Sequence, residues 1–311
     1  MSFENDLTWS YSRYNKFSMC KRQYFYHYYL SWGGWNIGAP KDVQLAYRLK
    51  NLMGLAGWVG DTIHKEIETL LKMLSSGTTM SKKIRADILR NLPKQMTKEW
   101  LASKKQTMEG NPKSLWLIDH YYSLQVDNKL QGLITQAVEC MSNFLDSGLF
   151  SSILKLNIPE NWLSIEELKF TFVAGTKVWV KIDFIYKDDK DYLVMLDWKT
   201  GKRKTADAAQ MGIYGCYLRE TYNTFPAYKI KAVDVYVNNN PPVLEPWIIK
   251  DKDIKYAEQM ITKSIGEMMD LLKKKSTNTP KTIQYFPRVN TTCQGICNWC
   301  GFRQLCHGVD K

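Results

Sequence analysis

The run LVMLDWKTGK, residues 193–202, constrains this chain more than any other stretch. Four consecutive apolar residues, Leu193 to Leu196, lead into Asp197, Trp198 and Lys199 before Thr200-Gly201 breaks the pattern. A continuous apolar run of that length suits a short strand buried on both faces, hence a sheet covered by helices. Asp197 and Lys199 are two apart, so on a strand their side chains leave from the same face. A carboxylate and an ammonium at the end of a buried strand are costly to desolvate. The two are therefore a structural ion pair or part of a reactive site.

The surrounding pattern builds outward from that strand. Residues 163–173, 176–187 and 191–199 read as three successive strands, with VAGT and KDDKD as hairpin turns. A helix follows over 207–221, then strands at 228–238 and 243–249 and a long helix over 251–275. Upstream, the spacing of Tyr14, Phe17, Phe25, Tyr28 and Tyr29 predicts a helix over 8–30, capped by Ser10. Ile63, Ile67, Leu70 and Leu71 predict another over 61–74, starting near Tyr47 or Met53. Residues 75–160 read as a helical insertion interrupted at Pro93, Asn111 and Pro112. Residues 276–311 read as a loop-like, cysteine-rich tail. The pattern is α/β, with a mixed sheet flanked by helices, and is taken as one domain over 1–311.

In KVWVKIDFIYK, Asp183 alternates with Val178, Val180, Ile182 and Phe184 and shares a face with Lys181. If 176–187 and 191–199 form a hairpin, Asp183 and Asp197 meet across it. Two hard oxygen ligands suit Mg²⁺ or Mn²⁺. Lys199 beside them would stabilise developing negative charge or position a water. Glu166 and Glu167 are further carboxylate candidates, and nothing in the sequence chooses between them. His64 sits at the edge of the Ile63/Ile67 stripe. Gln210 and Tyr214, four apart, share a helical face.

Lys and Arg outnumber Asp and Glu by 43 to 31, a net charge of +12, which favours a polyanionic partner such as nucleic acid. Lys202, Arg203 and Lys204 directly follow the Asp197/Lys199 segment of the candidate site and are candidate phosphate contacts. Met1 to Ser10 carries Glu4 and Asp6 and lacks an apolar core, so no signal peptide is expected, and no apolar run is long enough to span a membrane. A cytoplasmic chain is expected, where seven cysteines call for an explanation other than disulfides. Cys140 and Cys216 read as core residues. In CQGICNWCGFRQLC, Cys293, Cys297, Cys300 and Cys306 could bind Zn²⁺ locally. Alternatively Cys20 replaces Cys293 and the centre joins the two ends of the chain.

Taken in order, GWVGDTIHKEIE, VKIDFIY, LDWKTGK and QMGIY resemble the PD-(D/E)XK nuclease superfamily, in particular its RecB-like exonuclease branch. The opening SYSRYNKFSMCKRQYFYHYYL is similar to that branch's first helix. The resemblance implies a restriction-endonuclease-like core and a DNA exonuclease. It implies His64, Asp183 and Asp197 as metal ligands, Lys199 as catalytic lysine, and Gln210 and Tyr214 lining the DNA path or bracing the site. It also implies a [4Fe–4S] cluster on Cys20, Cys297, Cys300 and Cys306, as in relatives of AddB and CRISPR-associated type, with the tail packed on the N-terminal helix. The chain has no G-x-x-x-x-G-K-[ST] motif, so any duplex unwinding would come from a partner helicase. A non-catalytic nucleic-acid- or protein-binding module on the same fold is the rival reading.

Overall fold

In the computed structural model, residues 4–156, 160–202, 206–223, 229–289 and 294–308 are described, 206–208 and 294 by main chain alone. The chain divides into two compact units. One comprises Ala56–Thr97 and Lys129–Ile261; the other comprises Met1–Leu55, Lys98–Asn128 and Thr262–Lys311.

The first unit holds the apolar run that ends in Asp197 and Lys199. Strands β1 (Trp162–Val173), β2 (Thr176–Lys187), β3 (Leu193–Lys199), β4 (Ile230–Tyr236) and β5 (Val243–Ile248) pair in that order. The β1–β2, β2–β3 and β4–β5 pairs are antiparallel, whereas β3–β4 is parallel. Leu193 through Trp198 are all buried, as a central strand requires. Parallel β3 and β4 need a crossover, which helix Ala206–Thr221 supplies. Helices Leu55–Ser75 and Leu130–Leu145 also pack on the sheet: His64 Nε2 lies 2.9 Å from Trp198 O, and the Phe144 ring meets Trp198 edge-on at 5.1 Å. The expected mixed α/β layering with helices flanking a mixed sheet is thus present.

Gly60 and Gly212 are among the glycines that permit close approach. A Cβ on Gly60 would lie 3.3 Å from Thr200 Oγ1, so the helix carrying His64 passes tightly over the end of β3. A Cβ on Gly212 would lie 2.8 Å from Asp253 O, which sets helix Ala206–Thr221 against the start of helix Asp251–Met269.

The second unit corrects the continuous helix expected over 8–30. Ser10 does cap a helix, accepting from Arg13 N, but that helix covers only Tyr11–Met19. Cys20 is extended (φ −159°, ψ 113°), and its Sγ accepts from Gln23 N to start a second helix, Lys21–Phe25, followed by a π-turn at Tyr26–Leu30. The aromatic spacing sees only apolar period, whereas a side chain competing for a backbone N–H can divide one helix into two. Tyr26, Leu49, Trp116, Tyr121, Tyr122 and Phe302 form this unit's apolar cluster. The tail is not purely loop: Gln294–Asn298 and Arg303–His307 are short helices. It meets the N-terminal segment through Arg22 Nε to Phe286 O at 2.7 Å and Tyr26 Oη to Leu305 O at 3.1 Å.

Two further boundaries differ from the sequence reading. Helix Lys82–Lys104 runs through Pro93 without breaking, because one lost hydrogen bond is outweighed by burial of Leu92, Met96 and Trp100. The helix expected to reach 275 ends at Met269, and Leu272–Lys274 pairs antiparallel with Thr279–Pro280. Because Leu196 is fully buried in β3, Leu196→Ala should lower unfolding free energy by about 2–5 kcal/mol, measured by urea denaturation; a change under about 0.5 kcal/mol would contradict the central placement.

Candidate active site

The antiparallel register Phe184↔Leu196 places Asp183 across from Asp197, as the hairpin reading anticipated. Both carboxylates are buried. Asp183 Oδ2 accepts from Trp198 N at 2.6 Å, so β3's backbone clamps one oxygen of the neighbouring strand's carboxylate. Its other oxygen lies 3.3 Å from His64 Nδ1.

Glu166 completes this corner. Ile165↔Phe184 and Glu167↔Ile182 pair on either side of it, so Glu166 falls opposite Asp183. Its Oε1 lies 3.4 Å from His64 Nδ1 and its Oε2 is 2.6 Å from Lys181 Nζ. Glu166 also has φ +52°, a left-handed conformation inside a strand. For a residue with a Cβ that costs on the order of 1–2 kcal/mol, and such strain gathers at functional sites. Glu167, by contrast, is exposed and pairs with Lys169 at 2.7 Å. The geometry thus separates two neighbours the sequence left equivalent. Strand alternation alone puts adjacent residues on opposite faces, and only the partner strand shows which face carries the site.

Among the described residues, His64, Glu166 and Asp183 form a group whose ligand atoms lie within 4.8 Å of one another. The histidine tautomer suits a metal ligand. Trp198 O can only accept, so Nε2 carries the proton and Nδ1 is the atom turned to the carboxylates. Burial disfavours the imidazolium, yet Asp183 and Glu166 outweigh it and raise the His64 pKa to about 11. Burial and the charge of Asp197 push the Asp183 carboxyl up to about 7 against the pull of His64. Burial opposes the charge on Glu166, but His64 and Lys181 more than offset it and hold the carboxyl below its usual range. The electrostatic balance is that of a buried carboxylate cluster that favours positive charge, and one imidazole with carboxylate oxygens accommodates Mg²⁺ or Mn²⁺.

Asp197 lies beside this group and is held from another side. Tyr214 Oη is 3.0 Å from Asp197 Oδ1 and 2.9 Å from Lys181 O, and Gln210 donates to Tyr214 Oη. Gln210 spans the pair, with Oε1 3.4 Å from Lys199 Nζ and Nε2 3.4 Å from Asp197 Oδ1. Burial, then the charge of Asp197, push the Tyr214 hydroxyl well above its ordinary pKa, so it stays a donor. Lys199 forms an ion pair with Asp197, and its Nζ is 3.6 Å from Asp234 Oδ1. Asp234 is fully buried on β4, level with Asp197. The sequence reading missed Asp234 and gave Lys181 a face but no role, because strand alternation fixes the face of a side chain and not the neighbour it meets there.

His64, Asp183, Asp197, Lys199, Gln210 and Tyr214 therefore converge within one unit, joined by Glu166, Lys181 and Asp234. Lys202 is exposed just past β3; Arg203 and Lys204 lie outside the described residues. In the other unit, Cys20, Cys297, Cys300 and Cys306 line one cavity with Arg22, Arg288 and Arg303. Burial chiefly, with the charges of the other three sulfurs, raises the Cys300 pKa to about 11. Among the described residues these sulfurs do not gather within 4.8 Å of one another as the ligand atoms of His64, Glu166 and Asp183 do, and Cys293 lies outside the described residues. Cys140 and Cys216 are buried, as anticipated.

A model of the PD-(D/E)XK nuclease superfamily matches residues 8–307, and the mixed sheet with flanking helices is consistent with that superfamily's restriction-endonuclease-like fold. No curated protein matches the chain. Among solved structures, the chain is similar to one described as "Crystal structure of SSO0001", at 17% identity and a TM-score of 0.29, covering 71% of this chain and 96% of that one. Such a score is too low to establish a shared fold. Among the described residues no helix is long and apolar enough to cross a membrane.

Mn²⁺ should raise the thermal unfolding temperature of the wild type; Glu166→Gln should abolish that stabilisation, whereas Glu167→Gln should retain it. Equal Mn²⁺ responses from the two variants would remove Glu166 from the ligand set.

Proposed function

Because the chain belongs to the PD-(D/E)XK nuclease superfamily, we propose that it is a deoxyribonuclease of the RecB-like branch, an exonuclease on single strands or duplex ends. Superfamily membership itself implies a nuclease that works with divalent metal. The observation that carries the finer reading is the convergence of Asp197 and Lys199, at the end of β3, with the His64, Glu166 and Asp183 group.

His64, Glu166 and Asp183 would hold Mg²⁺ or Mn²⁺, with Asp197 at the margin of the set. Bound there, the ion supplies Lewis acidity toward a phosphate oxygen. Every other contribution comes from the chain. Trp198 N–H and Trp198 O orient Asp183 and His64 from the same peptide segment. Tyr214 donates to Asp197 and fixes its carboxylate, while Gln210 keeps Lys199 beside it. The Lys199 ammonium, drawn between Asp197 and Asp234, is the cation available to the charge that builds on a phosphate under attack. The net charge of +12 supports a polyanionic substrate. Lys202, Arg203 and Lys204 are the proposed contacts to phosphates beyond the scissile one, adding affinity without reading sequence. Duplex substrates would need a partner helicase or a frayed end.

We further propose that Cys20, Cys297, Cys300 and Cys306 bind a [4Fe–4S] cluster that staples the first helices to the tail. Their shared cavity supports this; burial raises the Cys306 pKa, and the charges of Arg288 and Arg22 pull against it toward the thiolate. Zn²⁺ on Cys293, Cys297, Cys300 and Cys306 is the competing assignment.

Wild-type protein should degrade end-labelled DNA with Mn²⁺ or Mg²⁺ and lose activity in EDTA. Asp197→Ala and Lys199→Ala should each cut the rate by roughly a hundredfold or more. Folded wild type that cleaves neither single strands nor duplex ends would favour the binding-module reading instead. Anaerobically purified protein should contain iron and acid-labile sulfide, both lost in Cys20→Ser but kept in Cys293→Ser; zinc lost in Cys293→Ser would reverse the assignment.

A further inference from the structure

The β1–β2 hairpin that carries Glu166 and Asp183 continues well beyond them. On its site-bearing face the cross-strand rows run Leu168 with Lys181, Phe170 with Trp179, and Phe172 with Lys177. With strand residues rising about 3.3 Å each, the last row lies roughly 20 Å from the carboxylates. At the site this face is covered by the helix carrying His64. Beyond it the face is open: Leu168 is 63%, Phe170 46% and Phe172 56% exposed. The opposite face buries Thr171 and Val173 with Val178, Val180 and Ile182. The outer part of β1 thus turns its aromatic residues to water and its threonine inward, against ordinary strand patterning.

A purely apolar strip would suit a protein partner, but this one is interleaved with cations. Lys177 Nζ lies 4.2 Å from the Phe170 ring centre and 4.1 Å from that of Trp179. Phe170 meets Phe172 and Trp179 edge-on at 5.8 and 5.5 Å. Lys181 stands next, between the rings and Glu166. Exposed rings alternating with ammonium groups match the bases and phosphates of an unpaired strand, since each base offers a π-face while the bases of a duplex are already stacked. The strip is also continuous, on one sheet face, with the carboxylate group.

We propose that this open hairpin face is a stacking platform for single-stranded nucleic acid, on which Phe170, Phe172 and Trp179 take bases and Lys177 and Lys181 take phosphates. It rests on the nuclease reading above and deepens it, because it selects an unpaired strand over duplex and delivers that strand to the carboxylates.

The test uses fluorescein-labelled (dT)20 and a 20-base-pair duplex, binding to full-length Asp197→Ala protein by anisotropy, so that cleavage plays no part. Adding Phe170→Ala and Trp179→Ala should weaken (dT)20 binding about tenfold and leave duplex binding within twofold, with unchanged thermal unfolding. Trp179→Phe should restore most of the affinity. Lys177→Ala should reduce the salt dependence on (dT)20 by about 0.7 in log–log slope. If the double substitution unfolds the hairpin, Phe172→Ala alone is read by the same criteria. Unchanged (dT)20 affinity in a folded aromatic variant overturns the platform. So does an equal loss on duplex, or a self-associated state that the variant dissolves without affecting (dT)20. Wild type that binds (dT)20 through these rings yet never cleaves DNA would sink the nuclease reading and leave the platform standing.

Discussion

Asp183 and Asp197 face one another across two antiparallel strands, and at 5% and 4% exposure neither has water over which to spread its charge. Holding two such carboxylates costs several kcal/mol per ion unless the surroundings answer them. The answers come from β3 itself and from two helices packed on it. The strand's own backbone N–H clamps Asp183, the crossover helix brings Tyr214 and Gln210 to Asp197, and the preceding helix brings His64. The close approach at Gly60 and the left-handed Glu166 lie in the same surroundings.

The same hairpin serves two environments along its length. Near β3 its site-bearing face is roofed and acidic; further out it is open, aromatic and cationic. Exposing Leu168, Phe170 and Phe172 forgoes burial free energy on the order of 25 cal/mol for each Å² left in water. Lys177 offsets part of this by lying over the rings of Phe170 and the neighbouring Trp179. Edge strands with exposed apolar side chains are an association hazard, and lysines beside them are a common means of keeping other strands away. Here the lysines also make the strip complementary to a polyanion.

The second unit solves a different problem. Cys20 lies nearly the whole chain away from Cys297, Cys300 and Cys306, yet all four line one cavity. The entropic cost of closing so long a loop grows only logarithmically with its length. A few contacts suffice to hold it: Phe25 against Phe286, Tyr26 against Phe302, and Arg22 bonded to the tail's backbone. The extended backbone at Cys20, which interrupts the first helix, leaves its sulfur at the start of the next helix and on the cavity wall.

Much of this could be read from sequence because its determinants are local. Apolar period set β2 and β3 to within two residues, and the hairpin implied by KDDKD brought Asp183 to Asp197. The spacing of Asp197 to Lys199 and of Gln210 to Tyr214 fixed which side chains share a face, since strand and helix periods are set by covalent geometry. What needed the tertiary structure were the choices that periodicity leaves equivalent. Glu166 rather than Glu167 reaches His64 because of how β1 lies on β2 beneath a helix about a hundred residues away in sequence. Asp234 meets Lys199 through the parallel register of a strand beyond the crossover. The exposed rings of β1 defy their own pattern, because burial depends on what the rest of the chain brings to each face, and a strand's sequence records its alternation but not its neighbours.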